Sequence, residues 1–302
     1  MKSFGAHGKL LLTGEYLVLH GAVALGIPTK LGQTLDVETV CKPSLQWNAY
    51  KPEGLWLSAT LNPSTLDVIE TNDPSKAEKL AIILKAVRQL NPHAFESGLH
   101  FETHLEFDPS WGLGSSSTLI SNLAQWAGVN PYELLKMTIG GSGYDIACAT
   151  ASSPLYYRLD NGEPKTQAVA FNPPFADHLF FVYQGKKQHS SNEVKSFCQR
   201  RKQADLVSEI QTVSELSMAL PTVTYFEDFC TLLQVHENIL SHCLDREPIQ
   251  QQYPDFNGTL KSLGAWGGDF LLAATEMSYE KVCDYFKNKG LSTVIKYQDL
   301  IL

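Results

Sequence analysis

Residues 108–121 read Asp-Pro-Ser-Trp-Gly-Leu-Gly-Ser-Ser-Ser-Thr-Leu-Ile-Ser, and here the sequence gathers the residue types that handle an anion. Gly112 and Gly114 open backbone conformations closed to other residues and let the chain approach a ligand closely. Ser115, Ser116 and Ser117 follow, with hydroxyls suited to phosphate oxygens or a magnesium ion. Leu119, Ile120, Leu123, Ala124 and Ala127 then recur at helical spacing, with Gly128 placed to end the run. The loop therefore feeds a helix N-terminus, where unpaired amides and the positive end of the helix dipole favour phosphate. Taken alone, the stretch is equally compatible with a tight structural turn.

Three more glycine-bearing stretches carry polar residues: Gly5-Ala-His-Gly-Lys-Leu, Gly140-Gly-Ser-Gly-Tyr-Asp and Gly264-Ala-Trp-Gly-Gly-Asp. None is a Walker A loop, because Gly-x-x-x-x-Gly-Lys-Ser/Thr does not occur. Locally, Lys9 reads as a solvated charge at a strand start, Asp145 as a helix N-cap, and the 264–268 glycines as a turn between strands. His100, Glu102, His104 and Glu106 alternate with Leu99, Phe101, Leu105 and Phe107, the pattern of a half-buried strand with a solvated face.

The elements that must position these residues are legible from pattern. Short strands are expected at Lys9 to Thr13 and Tyr16 to Leu19 around a glycine turn, with the sheet continuing from Ala22 to Val40 and strands at 45–47 and 55–59. Asp73 caps a helix that starts at Pro74 and stops at Asn91-Pro92. Asn130, Pro131 and Glu133 have the cap, first-turn and third-position chemistry of another helix start. Strands at 154–159 and 166–171 flank a turn at Asp160-Asn161-Gly162. The chain changes character at Asn172-Pro173-Pro174, which predicts a domain boundary. Beyond it come a strand at 178–183, a polar loop at 184–191, helices at 192–216 and 226–244, strands at 259–264 and 270–274, a helix at 279–287 and a last strand at 293–297.

At 302 residues, 43% hydrophobic and 19% charged, the chain has the make-up of an ordinary globular protein of one or two domains. A net charge of −8 with no long basic run argues against nucleic acid and anionic membrane as partners. The six cysteines lack CxxC spacing, which favours reduced thiols in a cytoplasm over zinc or a disulfide framework. Gly14 and Glu15 interrupt the apolar run from Leu10 to Leu19, so no signal peptide is read there.

Taken together, these stretches resemble the GHMP kinase superfamily, which includes galactokinase, homoserine kinase, mevalonate kinase and phosphomevalonate kinase. The first family motif is matched by Ala6-His7-Gly8-Lys9-Leu10-Leu11-Leu12-Thr13-Gly14-Glu15-Tyr16-Leu17-Val18-Leu19, and the second by Pro109 through Ser117. The catalytic-aspartate segment resembles Gly141-Ser142-Gly143-Tyr144-Asp145-Ile146-Ala147, and the third motif Lys261 through Gly268. They stand in family order from end to end of the chain. His7 replaces a usual proline, Ser117 a usual alanine, and Trp266 interrupts the last glycine run.

The resemblance implies an α+β, two-domain GHMP kinase fold. It expects an N-terminal ribosomal-protein-S5-domain-2-like domain over 1–171, a ferredoxin-like domain over 172–302, and ATP and Mg2+ as cofactors. Pro109, Gly112, Leu113, Gly114, Ser115, Ser116 and Ser117 would bind ATP, with Ser116 and, as a weaker match, Glu133 toward the metal. Asp145 and Lys9 would be catalytic. Glu15, Tyr16, His20, Gly143, Tyr144, Lys186, Ser191, Gly264, Ala265, Gly267 and Gly268 would shape the acceptor site. Gly14-Glu15-Tyr16, Gly143-Tyr144-Asp145 and the loop from Gly185 to Ser191 resemble the phosphomevalonate and mevalonate kinase branch. The expectation is a cytoplasmic small-molecule kinase of isoprenoid precursor synthesis, a monomer or homodimer. The rivals are a sugar or homoserine kinase of the same superfamily, and a nucleotide-binding regulator without turnover.

Overall fold

The structure, a computed structural model, describes residues 1–302 apart from Lys42, 187–189 and Gly267, and apart from the side chains of Ser190, Ser191, Asn192 and Lys195. Contacts divide it into two compact units. The first is Met1–Gly8, Leu31–Pro109 and Leu113–Thr150; the second is Lys9–Lys30, Ser110–Gly112 and Ala151–Leu302. The second unit takes in Lys9–Lys30 and the first part of the glycine loop as well as the chain from Ala151 on.

β1 (Lys2–Thr13) and β2 (Ala24–Val40) pass through both units. The first unit adds β3 (Leu45–Lys51), β4 (Gly54–Leu61), β5 (Val68–Thr71), α1 (Pro74–Leu90), β6 (Gly98–Leu105), α2 (Ser115–Ala127), α3 (Pro131–Thr138) and α4 (Tyr144–Thr150). Its strands run in the order β5-β4-β3-β6-β2, with β3 parallel to β6 and the other pairs antiparallel. The helix starts and stops follow the sequence signals. Asp73 Oδ1 accepts the Lys76 amide at 3.1 Å, Asn130 Oδ1 accepts those of Tyr132 and Glu133 at 2.9 and 3.3 Å, and Gly128 closes α2 in the left-handed conformation at φ +65°.

Alternation along β6 sends Leu99, Phe101, Thr103 and Leu105 inward, where Phe101 stacks on Trp47 and meets Trp126 edge-on. The His/Glu face is spent on cross-strand contacts with β3. His100 Nε2 lies 3.2 Å from the Asn48 amide, and the His104 ring lies parallel to Tyr50 with centroids 4.9 Å apart. The core continues into Leu80, Leu84 and Val87 of α1, Ile120, Leu123 and Ala124 of α2, and Ile146 of α4.

The second unit holds β7 (Leu155–Asp160) and β8 (Glu163–Ala168), paired to the start of β2 and joined by Asn161-Gly162, both with positive φ as a tight hairpin turn requires. After them come β9 (Leu179–Tyr183), α5 (Ser190–Arg200), α6 (Val207–Ala219), α7 (Phe226–Leu244), β10 (Thr259–Ser262), β11 (Phe270–Ala274), α8 (Tyr279–Asn288), β12 (Val294–Lys296) and α9 (Tyr297–Leu300). Strand order β10-β11-β9-β12, all pairs antiparallel, with helices between β9 and β10 and between β11 and β12, is the ferredoxin-like arrangement.

Two element expectations are corrected. Tyr16 to Leu19 is not a strand: Leu17–His20 is a 3-10 turn, with Val18 N–H donating to Gly14 O at 2.9 Å. A short apolar run is ambiguous by periodicity, and here glycines on both sides let it close on itself. The helix expected over 192–216 is two, α5 and α6, parted by a short turn at Gln203–Asp205 in which the Asp205 carboxylate accepts the Lys202 amide at 3.3 Å. No proline or glycine marks that break.

Leu123 is fully buried on α2. Leu123→Ala should lower stability by about 2–5 kcal/mol in urea denaturation followed by tryptophan fluorescence, through lost burial and the cavity left behind.

Candidate functional site

In the first unit the glycine loop does what its residues predict. Gly114 stands at the N-cap of α2 in the left-handed conformation, at φ +90°, and the first intrahelical bond is Thr118 N–H to Gly114 O at 2.9 Å. The amides of Ser115, Ser116 and Ser117 therefore lie ahead of the helical ladder, and no side chain caps them among the described residues. Ser116 is exposed and Ser115 half-buried, while Ser117 is buried with its Oγ donating to Gly114 O at 2.8 Å. Two of the three hydroxyls stand at the rim, and the third braces the turn. Thr118 Oγ1 and Asn122 Nδ2 tie the helix to Gln33 on β2 at 2.7 and 2.8 Å.

Asp145 sits in the first turn of α4, which packs directly on α2 through Ile146. Burial, followed by the neighbouring Cys148 and Asp145, raises the half-buried Tyr132 phenol of α3 above its ordinary value. Gly143 is buried and Tyr144 half-buried beside Asp145, and Glu133 is exposed in the first turn of α3. Among the described residues, no group of three or more His, Cys, Asp or Glu converges as a metal cage.

In the second unit, Lys9 is half-buried on β1. The turn that follows leads into a buried charge cluster. Lys261 is 0% exposed, Glu15 1% and His236 1%, with Lys261 Nζ 2.6 Å from Glu15 Oε1 and 2.8 Å from Ser262 O. His236 Nε2 accepts the Gly14 amide at 3.0 Å and lies 3.4 Å from Glu15 Oε2. Beside them Glu237 accepts Ile249 N–H, Ser262 N–H and Ser262 O–H at 2.9–3.0 Å. Burial pushes Glu15 up to about 7 against the pull of Lys261, and raises Glu237 in the same way. It also holds His236 well below its ordinary value, helped by the Lys261 charge. Glu15 is thus a buried brace for the turn, with both oxygens enclosed.

The neighbouring acceptor candidates gather around the same turn. Tyr16, at φ +62°, donates its hydroxyl to Ala265 O at 2.8 Å, and burial raises its pKa. The His20 ring lies 5.7 Å from that of Phe197, and burial lowers its pKa. Arg246 Nη1 donates to Trp266 O at 2.6 Å and its Nη2 meets Glu193 Oε2 at 2.7 Å. Trp266, which breaks the glycine run, turns its ring into the core with Tyr16, Leu17, Phe197 and Leu240. Gly264 is half-buried and Gly268 buried, and Gly268 O accepts Gln184 Nε2 at 2.9 Å. Lys186 is exposed, while Gly267 and the side chain of Ser191 lie outside the described residues. Sequence reasoning passes over His236 and Glu237, which sit on a helix with no motif, and over Arg246.

The order of strands and helices in both units invites comparison with known structures. No family model matches the chain, and no curated protein matches it in sequence. Solved structures match along nearly its whole length. Mevalonate kinase from Methanococcus jannaschii superposes with a TM-score of 0.72 at 16% identity, over 97% of this chain and 96% of that one. Streptococcus pneumoniae phosphomevalonate kinase, solved with phosphomevalonate and AMPPNP, gives 0.69 at 19% identity over 96% and 98%. The fold is that of the GHMP kinases. Lactococcus lactis galactokinase, solved with galactose, also matches, with a TM-score of 0.64 at 13% identity over 95% of this chain and 88% of that one. The GHMP-kinase fold therefore spans enzymes with different acceptors, and at these identities likeness establishes the fold alone.

Removing Lys261 leaves Glu15 and Glu237 buried without their cation, so Lys261→Met should cost about 3–5 kcal/mol in denaturant unfolding. Glu15 gives a second, pH-dependent test. Its carboxyl titrates near 4.5 when unfolded and near 7 when folded, so between those values the folded protein holds the extra proton. Its contribution is complete below 4.5 and is lost as pH rises through 7. The stability of the wild type relative to Glu15→Gln should fall by on the order of 3 kcal/mol over that rise. A flat difference would contradict the raised pKa.

Proposed function

We propose that this protein is an ATP-dependent small-molecule kinase of GHMP type that phosphorylates phosphomevalonate or mevalonate. The observation that carries the reading is that Asp145 opens a helix packed on the very helix whose first-turn amides the glycine loop exposes. An anion cradle and an acid on packed helices support the reading, because phosphoryl transfer depends on positioning and on charge neutralisation.

In this reading Gly112, Leu113 and Gly114 shape the loop, Pro109 leads into it, and the amides of Ser115–Ser117 hold phosphate oxygens. The Ser116 hydroxyl, with Glu133 as a further ligand, would hold magnesium, which would neutralise phosphate charge there. Bound ATP with magnesium supplies the transferable phosphoryl group and most of the charge neutralisation. Asp145 orients the acceptor hydroxyl and takes its proton late, and Lys9 screens the charge spread over the moving phosphoryl oxygens. The resemblance assigns Tyr16, His20, Tyr144, Lys186, Ser191 and the 264–268 segment to the acceptor, and Glu15 braces the turn that carries Tyr16. The preference for the mevalonate branch rests on Gly14-Glu15-Tyr16, Gly143-Tyr144-Asp145 and Lys186 and Lys187 of the 185–191 loop, whose charges suit an acceptor phosphate.

ADP release measured with mevalonate, phosphomevalonate, galactose and homoserine tests this directly. One mevalonate-pathway acceptor should turn over. Asp145→Asn should cut kcat about 10²–10⁴-fold with a hydroxyl acceptor while Mg·AMPPNP binding persists. A phosphate acceptor is already ionised and should lose less. Nucleotide binding with no turnover on any acceptor would sink the enzymatic reading and leave a regulator.

A further inference from the structure

The second unit contains a contact that none of the roles above uses. The segment Ser110-Trp111-Gly112 is clamped there: Tyr183 donates its hydroxyl to Ser110 O at 3.2 Å, and the Trp111 ring meets Phe270 edge-on with centroids 5.8 Å apart. At Gly112 the carboxylate of Asp269 fills the space of a side chain. A Cβ on Gly112 would fall within 2.7 Å of Cγ, Oδ1 and Oδ2 of Asp269, so only glycine fits, quite apart from its φ of +70°.

The backbone of the same aspartate faces the other way. Asp269 N–H donates to Lys186 O at 2.7 Å, and Asp269 O accepts Gln184 N–H at 2.8 Å. Asp269 is itself buried and held at φ +54°, a conformation that costs a residue with a Cβ and persists where its surroundings fix it. One residue thus grips the glycine loop with its side chain and the start of the 184–191 loop with its main chain.

We propose that Asp269 is a positioning residue that couples these two loops, so that displacing Gly112 moves the Gln184–Lys186 segment and nucleotide on the first loop orders the second. The coupling rests on the contact alone. Its consequence for ligands rests on the proposed function.

Amide hydrogen exchange separates the two. In ligand-free protein, Gly112→Ala should speed exchange at the Gln184 and Asp269 amides at least about tenfold by forcing the carboxylate aside. Gly128→Ala controls for backbone strain alone, since it has φ +65° and nothing within 4 Å of an added Cβ. Asp269→Gly removes the clash, so Gly112→Ala in that background should leave those amides at the rates of Asp269→Gly alone. If Gly112→Ala does not fold, Asp269→Gly alone decides: it should speed exchange at the Trp111 and Gly112 amides, and wild-type rates there would overturn the proposal, as would additive effects in the double variant. In a second arm, Mg·AMPPNP should protect the Gln184 amide in wild type and not in Asp269→Gly. Equal protection in both would refute the coupling. Failure of wild type to bind Mg·AMPPNP would count against the kinase reading, with the ligand-free arm still deciding the coupling.

Discussion

A lysine ammonium with no solvent exposure dictates the layout of the second unit. An uncompensated charge at Lys261 would be prohibitive in that interior, so the fold must bring it an anion and further acceptors. Glu15 meets it from the turn after β1, Ser262 O from its own strand, and Glu237 lies beside it on α7. The turn after β1, 246 positions away in sequence, is therefore fixed to β10 and α7 by one group. The turn held in this way carries Tyr16, and the strand leads into the 264–268 segment, so an interior charge sets the geometry of residues assigned to the acceptor. Replacing the cluster with apolar side chains of like volume would cost little stability. Its retention fits a demand for one specific arrangement of that turn.

The glycine loop shows a second economy. Leu113 and the helix that follows belong to the first unit, while Ser110, Trp111 and Gly112 pack in the second. Trp111 and Tyr183 anchor one end by ring packing and a hydroxyl, and Gln33 anchors α2 at the other. The loop's first-turn amides are left out of its own folding, and side chains hold each flank within its own unit.

How much of this was legible in the residues depends on the range of the forces involved. Asp73-Pro74, Asn130-Pro131 and Gly128 mark helix ends because caps act within one turn, and α1, α2 and α3 begin and end where those signals fall. Alternation gave β6 for the same reason. The break between α5 and α6 carries no proline or glycine and depends on Leu206 finding a place in the core, which is tertiary information. Likewise Glu15 reads as a site residue because it stands inside the stretch that resembles the first family motif. That it is buried follows only once Lys261, 246 positions later, arrives beside it. Trp266 seems out of place in a glycine run only when the run is imagined as bare. Its indole fills the core behind the turn while its main chain, at φ +52°, keeps the conformation a glycine would have had.

The net charge of −8 makes the source of any positive potential a real question for a protein that would bind polyanions. In the proposed reading, local dipoles supply it. The amides ahead of the α2 ladder act over a few ångströms and are little affected by acidic surface farther away than a Debye length of about 8 Å. The long cationic side chains near the acceptor segments are differently employed: Lys261 is neutralised in the interior and Arg246 holds Glu193 and the Trp266 carbonyl. Lys186, by contrast, is exposed. The same fold is found in mevalonate, phosphomevalonate and galactose kinases, so the fold by itself does not choose an acceptor.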